Sequence, residues 1–467
     1  MNINRRKLLQ KTAGAAFAIS APAIFQIANA SDGFIEFIAE ETKVKLYRPD
    51  APASNLWTYG GRSPGPEIRV KRGERVQVRL INKLKEPTSI HWHGIRIANA
   101  MDGVAGLTQD AVPPGETFEY DFVVPDSGTY WYHAHNKSWN QVARGLYGPL
   151  IVEDDKAIFD KNHDLTLVID DWRLNRTGTL DVASLGSMMD WSHQGRLGNW
   201  LTVNGDGHAN TTVKAGEAYR LRLINACNAR ILAIDPNRFN AQVIAYDGQA
   251  LTEPVSLETA ALQIGPAQRV DLLVIPEAGK DFTIEEISGN QSYEFIKFEV
   301  KDTMVPVANQ ISLSPNHLPQ PDIENAANFR LHMAGGAMGD LNGITYQGKL
   351  LEGDDFRKTG QVWSFNGVAN LPQAPFFRVK KGQTVIIETF NDTAFAHAMH
   401  VHGHHFRVIS HDGDKIDDED IWRDTFLVDP NKTVRIAFVA DNSGKWLYHC
   451  HMLEHVAAGM STWFEVT

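Results

Sequence analysis

Lys71-Arg72-Gly73-Glu74 runs through Arg75 into Val76-Gln77-Val78-Arg79-Leu80-Ile81-Asn82. Lys214-Ala215-Gly216-Glu217 runs through Ala218 into Tyr219-Arg220-Leu221-Arg222-Leu223-Ile224-Asn225. Lys380-Lys381-Gly382-Gln383 runs through Thr384 into Val385-Ile386-Ile387-Glu388-Thr389-Phe390-Asn391. Each copy is a turn with Gly followed by a strand, because alternation at period two and β-branched residues favour extended backbone. The copies begin 143 residues apart (71 to 214) and 166 apart (214 to 380), which are domain spacings. The rest of the chain offers short strands, such as Thr117–Val124 and Leu165–Ile169, between Gly/Pro turns, and no sustained helical period. An all-β chain of three Greek-key β-sandwich domains in series is expected, over residues 31–155, 156–305 and 306–467.

Composition agrees with that division. The chain has 467 residues, 43% hydrophobic and 22% charged, enough for about three domains with packed cores. Its net charge of −11 argues against nucleic acid as a partner, since phosphate binding needs a basic footprint. Cys227 and Cys450 are its two cysteines, too few for a disulfide framework. Residues 1–30 carry Arg5-Arg6-Lys7, a weakly apolar stretch from Ala13 to Ala28, and Ala28-Asn29-Ala30. This reads as a twin-arginine export signal cleaved after Ala30, with the periplasm as destination and no membrane span thereafter.

A second repeat joins the outer domains. Ser127-Gly128-Thr129-Tyr130-Trp131-Tyr132-His133-Ala134-His135 matches Ser443-Gly444-Lys445-Trp446-Leu447-Tyr448-His449-Cys450-His451. At nine and eleven residues past the repeat Asn stand His91 and His93 in the first copy, and His400 and His402 in the third. In the middle copy those offsets hold Ile234 and Pro236. Residues i and i+2 of a strand share a face, so four His-x-His pairs can present eight imidazoles at a pseudo-twofold interface of domains one and three. Neutral imidazole suits copper, zinc, iron or nickel, and eight ligands imply several ions close together. One such pair arises easily by chance; four at symmetry-related positions do not.

Cys450 breaks the symmetry. It lies between His449 and His451, so its sulfur faces away from theirs. His455 and Met460 follow it, and His397 precedes His400 by three residues. Two His, one Cys and a weak axial Met form the ligand set of a blue-copper electron-transfer site. In the first copy Ala134 replaces the cysteine.

His91-Trp92-His93-Gly94, His133-Ala134-His135, His397-Ala398-Met399-His400-Val401-His402-Gly403 and the His449-to-Met460 segment resemble the four copper motifs of three-domain multicopper oxidases, bacterial laccase-like members among them. The likeness runs from about Phe34 to Thr467. It implies cupredoxin-like domains and four copper ions. One would be a type 1 ion on His397, Cys450, His455 and Met460. One would be a type 2 ion on His91 and His400. Two would be type 3 ions on His93, His133, His135, His402, His449 and His451. It implies one-electron oxidation of a small aromatic or metal-ion donor at the blue site and reduction of dioxygen to water at the cluster. A monomer is expected.

Asp102, before Gly103, falls where relatives carry a carboxylate beside the cluster, so it reads either as a proton relay or as a turn residue. Val456 stands where many bacterial relatives place a second carboxylate. Relatives that oxidise cuprous ion carry Asp and Met where this chain has Thr393 and Phe395, along with a Met-rich insertion. Here Leu331–Gln347 has only Met333 and Met338 and reads as a linker or lid. Met188-Met189, with Trp191 and His193, read as loop and core residues rather than a metal-binding surface. His404 and His405 read as a solvated run or as neighbours of the cluster. Asp424 reads as a residue near the blue copper that bonds a phenolic or aniline proton or orients its loop, and Cys227 reads as a buried thiol. An oxidase of aromatic donors is expected, against a metal-ion oxidase for Cu(I), Mn(II) or Fe(II), and against a copper-free periplasmic scaffold.

Overall fold

The computed structural model of the protein describes residues 33–257, 261–289, 292–302, 311–416 and 421–467. The expected export signal lies outside the described residues. Three antiparallel-rich sandwiches account for nearly all of the secondary structure. In the first, the strands Ser54–Tyr59, Ile35–Val44, Arg75–Asn82 and Thr117–Val123 form one sheet in that order. Ile68–Lys71, Tyr147–Glu153, Gly128–Ala134 and Ile90–His93 form the other. The middle unit is built on a six-stranded sheet with Tyr219–Asn225 and Arg269–Val274 as neighbours near its centre. The third pairs a seven-stranded sheet holding Thr384–Asp392 with a five-stranded one in the order Arg378–Val379, Ser461–Val466, Gly444–Cys450, His397–Val401, Thr425–Val428.

The three repeat strands occupy equivalent places. Each lies parallel to the opening strand of its unit and antiparallel to a later one: Ile35–Val44 and Thr117–Val123, Asp164–Trp172 and Arg269–Val274, Ala327–Gly335 and Thr433–Val439. The Asn that ends each copy does one job. Asn82 Nδ2 donates to the Glu86 and Val112 carbonyls while its Oδ1 accepts from Leu84 N. Asn225 makes the same three bonds to Arg230, Ile264 and Cys227, and Asn391 to Phe395, Val428 and Thr393. A buried amide with all three groups paired fixes the loop that leaves the strand. In domains one and three that loop delivers the first His-x-His pair.

Burial explains why only two units share a site. Val76, Val78 and Leu80 point inward on the first repeat strand with half-exposed residues between them. The middle copy is buried on both faces, because Arg220 and Arg222 turn outward onto Asp271 and Asp164, and Arg222 also donates to Thr129 of the first domain. Domains one and three share one continuous apolar core, from Trp92 and Tyr120 through to Trp363 and Trp446. The middle unit has its own, into which Ile234 packs where the outer copies carry histidine.

Two expectations change here. Leu331–Gly335 is no linker: it ends the Ala327–Gly335 strand, and Met333 is buried opposite Phe365. The chain leaves the sheet only after Gly335, where Ala337 N donates to the Ser192 carbonyl. His404 and His405 are not solvated but buried. His404 packs among Phe438, Trp446 and Phe464, and His405 lies 3.1 Å from Gln249 Nε2.

Candidate metal centre

The pleat delivers the histidines in matched fashion. Ile90–His93 pairs with Gly128–Ala134 so that His91 stands opposite His133. His397–Val401 pairs with Gly444–Cys450 so that His400 stands opposite His449. Where the two strand pairs meet, ligand atoms gather within 4.8 Å of one another in sets that include His91/His93/His400, His93/His133/His451 and His135/His402/His449. Each of these three draws on both outer domains.

Hydrogen bonds show which nitrogens are free to ligate. A carbonyl oxygen can only accept, so the ring nitrogen facing one is N–H and the other nitrogen of a neutral ring keeps its lone pair. His91 Nδ1 donates to Asp102 O at 2.8 Å and His400 Nδ1 to Asp424 O at 2.9 Å, and the Nε2 of each is buried without a partner. His93 is turned the other way: Nε2 donates to Asp424 Oδ1 at 3.1 Å and Nδ1 is the unpartnered atom. His402 Nδ1 donates to the Asp102 carboxylate at 3.0 Å and His449 Nδ1 to Cys450 O at 2.9 Å, yet their Nε2 atoms face each other at 3.1 Å. Two lone pairs at that separation need a cation between them. Burial and the neighbouring imidazoles hold His93, His402 and His449 well below the usual imidazole range and push His135 down to about 3.

The second set has the same logic with sulfur added. His455 Nε2 donates to the His193 carbonyl at 2.6 Å and His397 Nε2 faces Thr393 Oγ1 at 2.8 Å. Their Nδ1 atoms then confront each other at 3.0 Å, with Cys450 Sγ 3.6 and 3.9 Å away. Burial pushes the Cys450 thiol up to about 12 and holds His455 down to about 4. Met460 is buried beside them, its carbonyl accepting from Cys450 N and its N–H donating to His455 O, both at 3.0 Å. Facing lone pairs and a thiol that becomes a strong donor only on losing its proton suit a soft, borderline cation such as copper.

The structure brings the ligand atoms of eleven of the anticipated residues into these two places, with Asp102 beside the cluster and Met460 joined to Cys450 and His455 through its backbone. Asp102 is fully buried and spans the domain interface, its carboxylate on His402 and its carbonyl on His91. The turn role is real as well: Gly103 is at φ +81°, and a Cβ there would lie 1.8 Å from Ile90 O. Asp424 is a correction. It is no contact of the blue site; its carboxylate lies on His93 and its carbonyl on His400, at the cluster. Burial would raise its pKa, but Arg269 and His93 hold it well below the usual carboxylate range. Arg269, a fully buried guanidinium donating to both Asp424 oxygens at 2.9 and 2.6 Å, escaped the sequence reading, as an isolated Arg on a strand of the ligand-free domain carries no motif. Cys227 is buried as expected, and Met189 is exposed, not core.

Multicopper oxidase domain families match residues 41–157, 163–296 and 347–467. A solved multi-copper oxidase from Pseudomonas thermotolerans is 31% identical, with TM-score 0.79, and the match covers 92% of this chain and 98% of that one. The structure of Lac15 from a marine microbial metagenome is 36% identical with TM-score 0.73, over 92% and 99%. The multicopper oxidase MmcO of Mycobacterium tuberculosis is 28% identical over 88% of this chain and 83% of its own length. The chain belongs to the multicopper oxidase family: it is an oxidoreductase of three cupredoxin-like domains that binds copper. Among the described residues no helix is long and apolar enough to cross a membrane.

Proposed function

We propose that the protein is a laccase-like four-copper oxidase that draws single electrons from phenols or aromatic amines. His397, Cys450, His455 and Met460 hold the type 1 ion. His91 and His400 hold the type 2 ion, and His93, His133 and His451 with His135, His402 and His449 hold the type 3 pair. When bound, the coppers supply the redox chemistry, by which four electrons and four protons convert one dioxygen to two waters. The observation that carries this reading is the double confrontation of unprotonated imidazoles, His402 with His449 and His397 with His455.

The chain's own residues do the rest. Cys450 lies between His449 and His451 on one strand end, so the two metal places are one residue of backbone apart. Asp102 accepts the His402 Nδ1 proton at the cluster edge and is the carboxylate placed to hand protons inward, with Val456 offering none. The ring edge of His455 is covered by the His193 carbonyl. A donor therefore meets the Ser187–His193 segment, and its electron crosses one hydrogen bond to the ring.

Thr393 bonds His397 and Phe395 packs near His193, where a cuprous-ion oxidase would present Asp and Met; this favours organic donors. A metal-ion donor is the second reading, favoured by Met189 and Met338, which are 64% and 83% exposed on segments joined by the Ala337–Ser192 hydrogen bond. Dioxygen uptake measured in parallel with a phenol, Mn(II) and Cu(I), with and without excess copper, separates them. Turnover of the phenol without hydrogen peroxide release is expected, and turnover of Cu(I) alone would contradict the organic reading. We further place a twin-arginine leader at 1–30, a periplasmic destination that rests on that leader's sequence, and domain boundaries near 155 and 305 that rest on the repeat spacing.

A further inference from the structure

The middle domain contributes none of the twelve ligand residues, yet it reaches the cluster. Arg269 opens the Arg269–Val274 strand and is wholly buried. Its Nη1 and Nη2 donate to the two oxygens of Asp424, its Nε donates to Thr129 O of the first domain at 3.0 Å, and its Nη1 also donates to Ala267 O at 3.1 Å. Asp247, from the same domain, receives Arg269 N on one oxygen at 3.0 Å and the Asp424 and Thr425 N–H groups on the other, both at 3.2 Å. Asp424 is thus clamped at side chain and backbone by one domain. It in turn sets two rings of the other two domains: its Oδ1 takes the His93 Nε2 proton and its carbonyl takes the His400 Nδ1 proton.

That choice of tautomer matters. His93 must offer Nδ1 and His400 Nε2 for both to face the same space, and those are the atoms left without partners. Gly94 keeps the place clear, since a Cβ there would lie 2.4 Å from Arg269 Nη2 and 2.6 Å from Asp424 Oδ2. A bidentate guanidinium fixes a carboxylate in plane as well as in charge, which an ammonium cannot do. We propose that Arg269 of the ligand-free domain is a positioning residue for the copper cluster, acting through Asp424 on the ring orientation of His93 and His400. This rests on the four-copper reading above.

The test is copper retention against a graded chelator, read by elemental analysis for total copper and by the blue absorbance for the type 1 ion. Partners of metal-bound histidines are worth about 10- to 100-fold in affinity. Arg269→Gln is expected to weaken cluster copper by that factor while the blue absorbance titrates as in the wild type. Arg269→Lys is expected to fall between the two. Asp424→Asn with Arg269→Gln should be no weaker than Asp424→Asn alone. Wild-type cluster retention in Arg269→Gln would overturn the inference, as would parallel loss of blue and cluster copper with a lowered melting temperature of the copper-free protein. Should Arg269→Gln not fold, Asp247→Asn and Arg269→Lys carry the same comparison. A wild type that binds a single copper overturns the four-copper reading instead, and this inference with it; a wild type that binds four beside an indifferent Arg269→Gln overturns the inference alone.

Discussion

The strand ends at His133-Ala134-His135 and His449-Cys450-His451 are the same object built twice, with one face conserved in chemistry and the other not. On the cluster face both present histidines, paired across their sheets at His91–His133 and His400–His449. On the opposite face Cys450 stands across from Met399, while Ala134 stands across from Ile90 in an apolar core. By the same offsets, Thr88 and Trp139 occupy the places of His397 and His455. Thr88 bonds Gln141 at 2.7 Å and Trp139 packs on Trp191. One fold thus carries a half-site for the cluster in both copies, and a second, separate site appears only where one small residue becomes a thiol with two imidazoles in reach.

Making the copies alike breaks the molecule most. Cys450→Ala turns the third copy into the first. The blue absorbance and donor turnover should vanish, with one copper fewer per chain by elemental analysis; retained colour would refute the ligand set.

Acid should strike the outer domains next. Burial and mutual proximity depress His93, His133, His397, His402, His449 and His451 well below 6.5, with His135 at about 3 and His455 at about 4. A folded pKa below the unfolded one gives stability that is present above 6.5 and is lost as pH falls. Each such ring left neutral in the fold costs about 1.4 kcal/mol per pH unit below 6.5. The copper-free protein should lose melting temperature steeply between pH 6.5 and about 4, and a flat profile there would contradict the buried neutral cluster.

Asp102→Asn is the next smaller perturbation. Loss of a placed acid–base group costs about 10²–10⁴-fold, so steady-state dioxygen uptake should drop at least about 100-fold. Anaerobic bleaching of the blue absorbance by a phenol should keep its wild-type rate, because Asp102 touches only the cluster side. Ala134→Cys is the mildest and the sharpest on the comparison. With Thr88 and Trp139 in place of imidazoles it should give no second blue absorbance, at a stability cost of about 1–3 kcal/mol for overpacking by urea melts.

Much of this was legible in the sequence, for physical reasons. The strand period and the repeat Asn are local properties, so Lys71–Asn82 and its copies announced three like domains. His-x-His spacing and the Cys between two histidines translate directly into faces of a strand. What escaped depends on which distant surfaces meet. Asp424 lies in a loop whose partner, Arg269, is 155 residues away in another domain, and no spacing links them. His404 and His405 look polar, yet His404 is enclosed among the third domain's own aromatics and His405 where that domain meets Gln249 of the middle one. Met333 sits among glycines that suggest a linker, yet the parallel pairing of Ala327–Gly335 with Thr384–Asp392, a long-range contact, makes it core.

The copper content of the fully metallated, blue protein, measured by elemental analysis against quantitative amino-acid analysis, decides whether the two outer domains hold a cluster beside the blue site. Four atoms per chain are expected; a value near one would leave the blue site without its cluster.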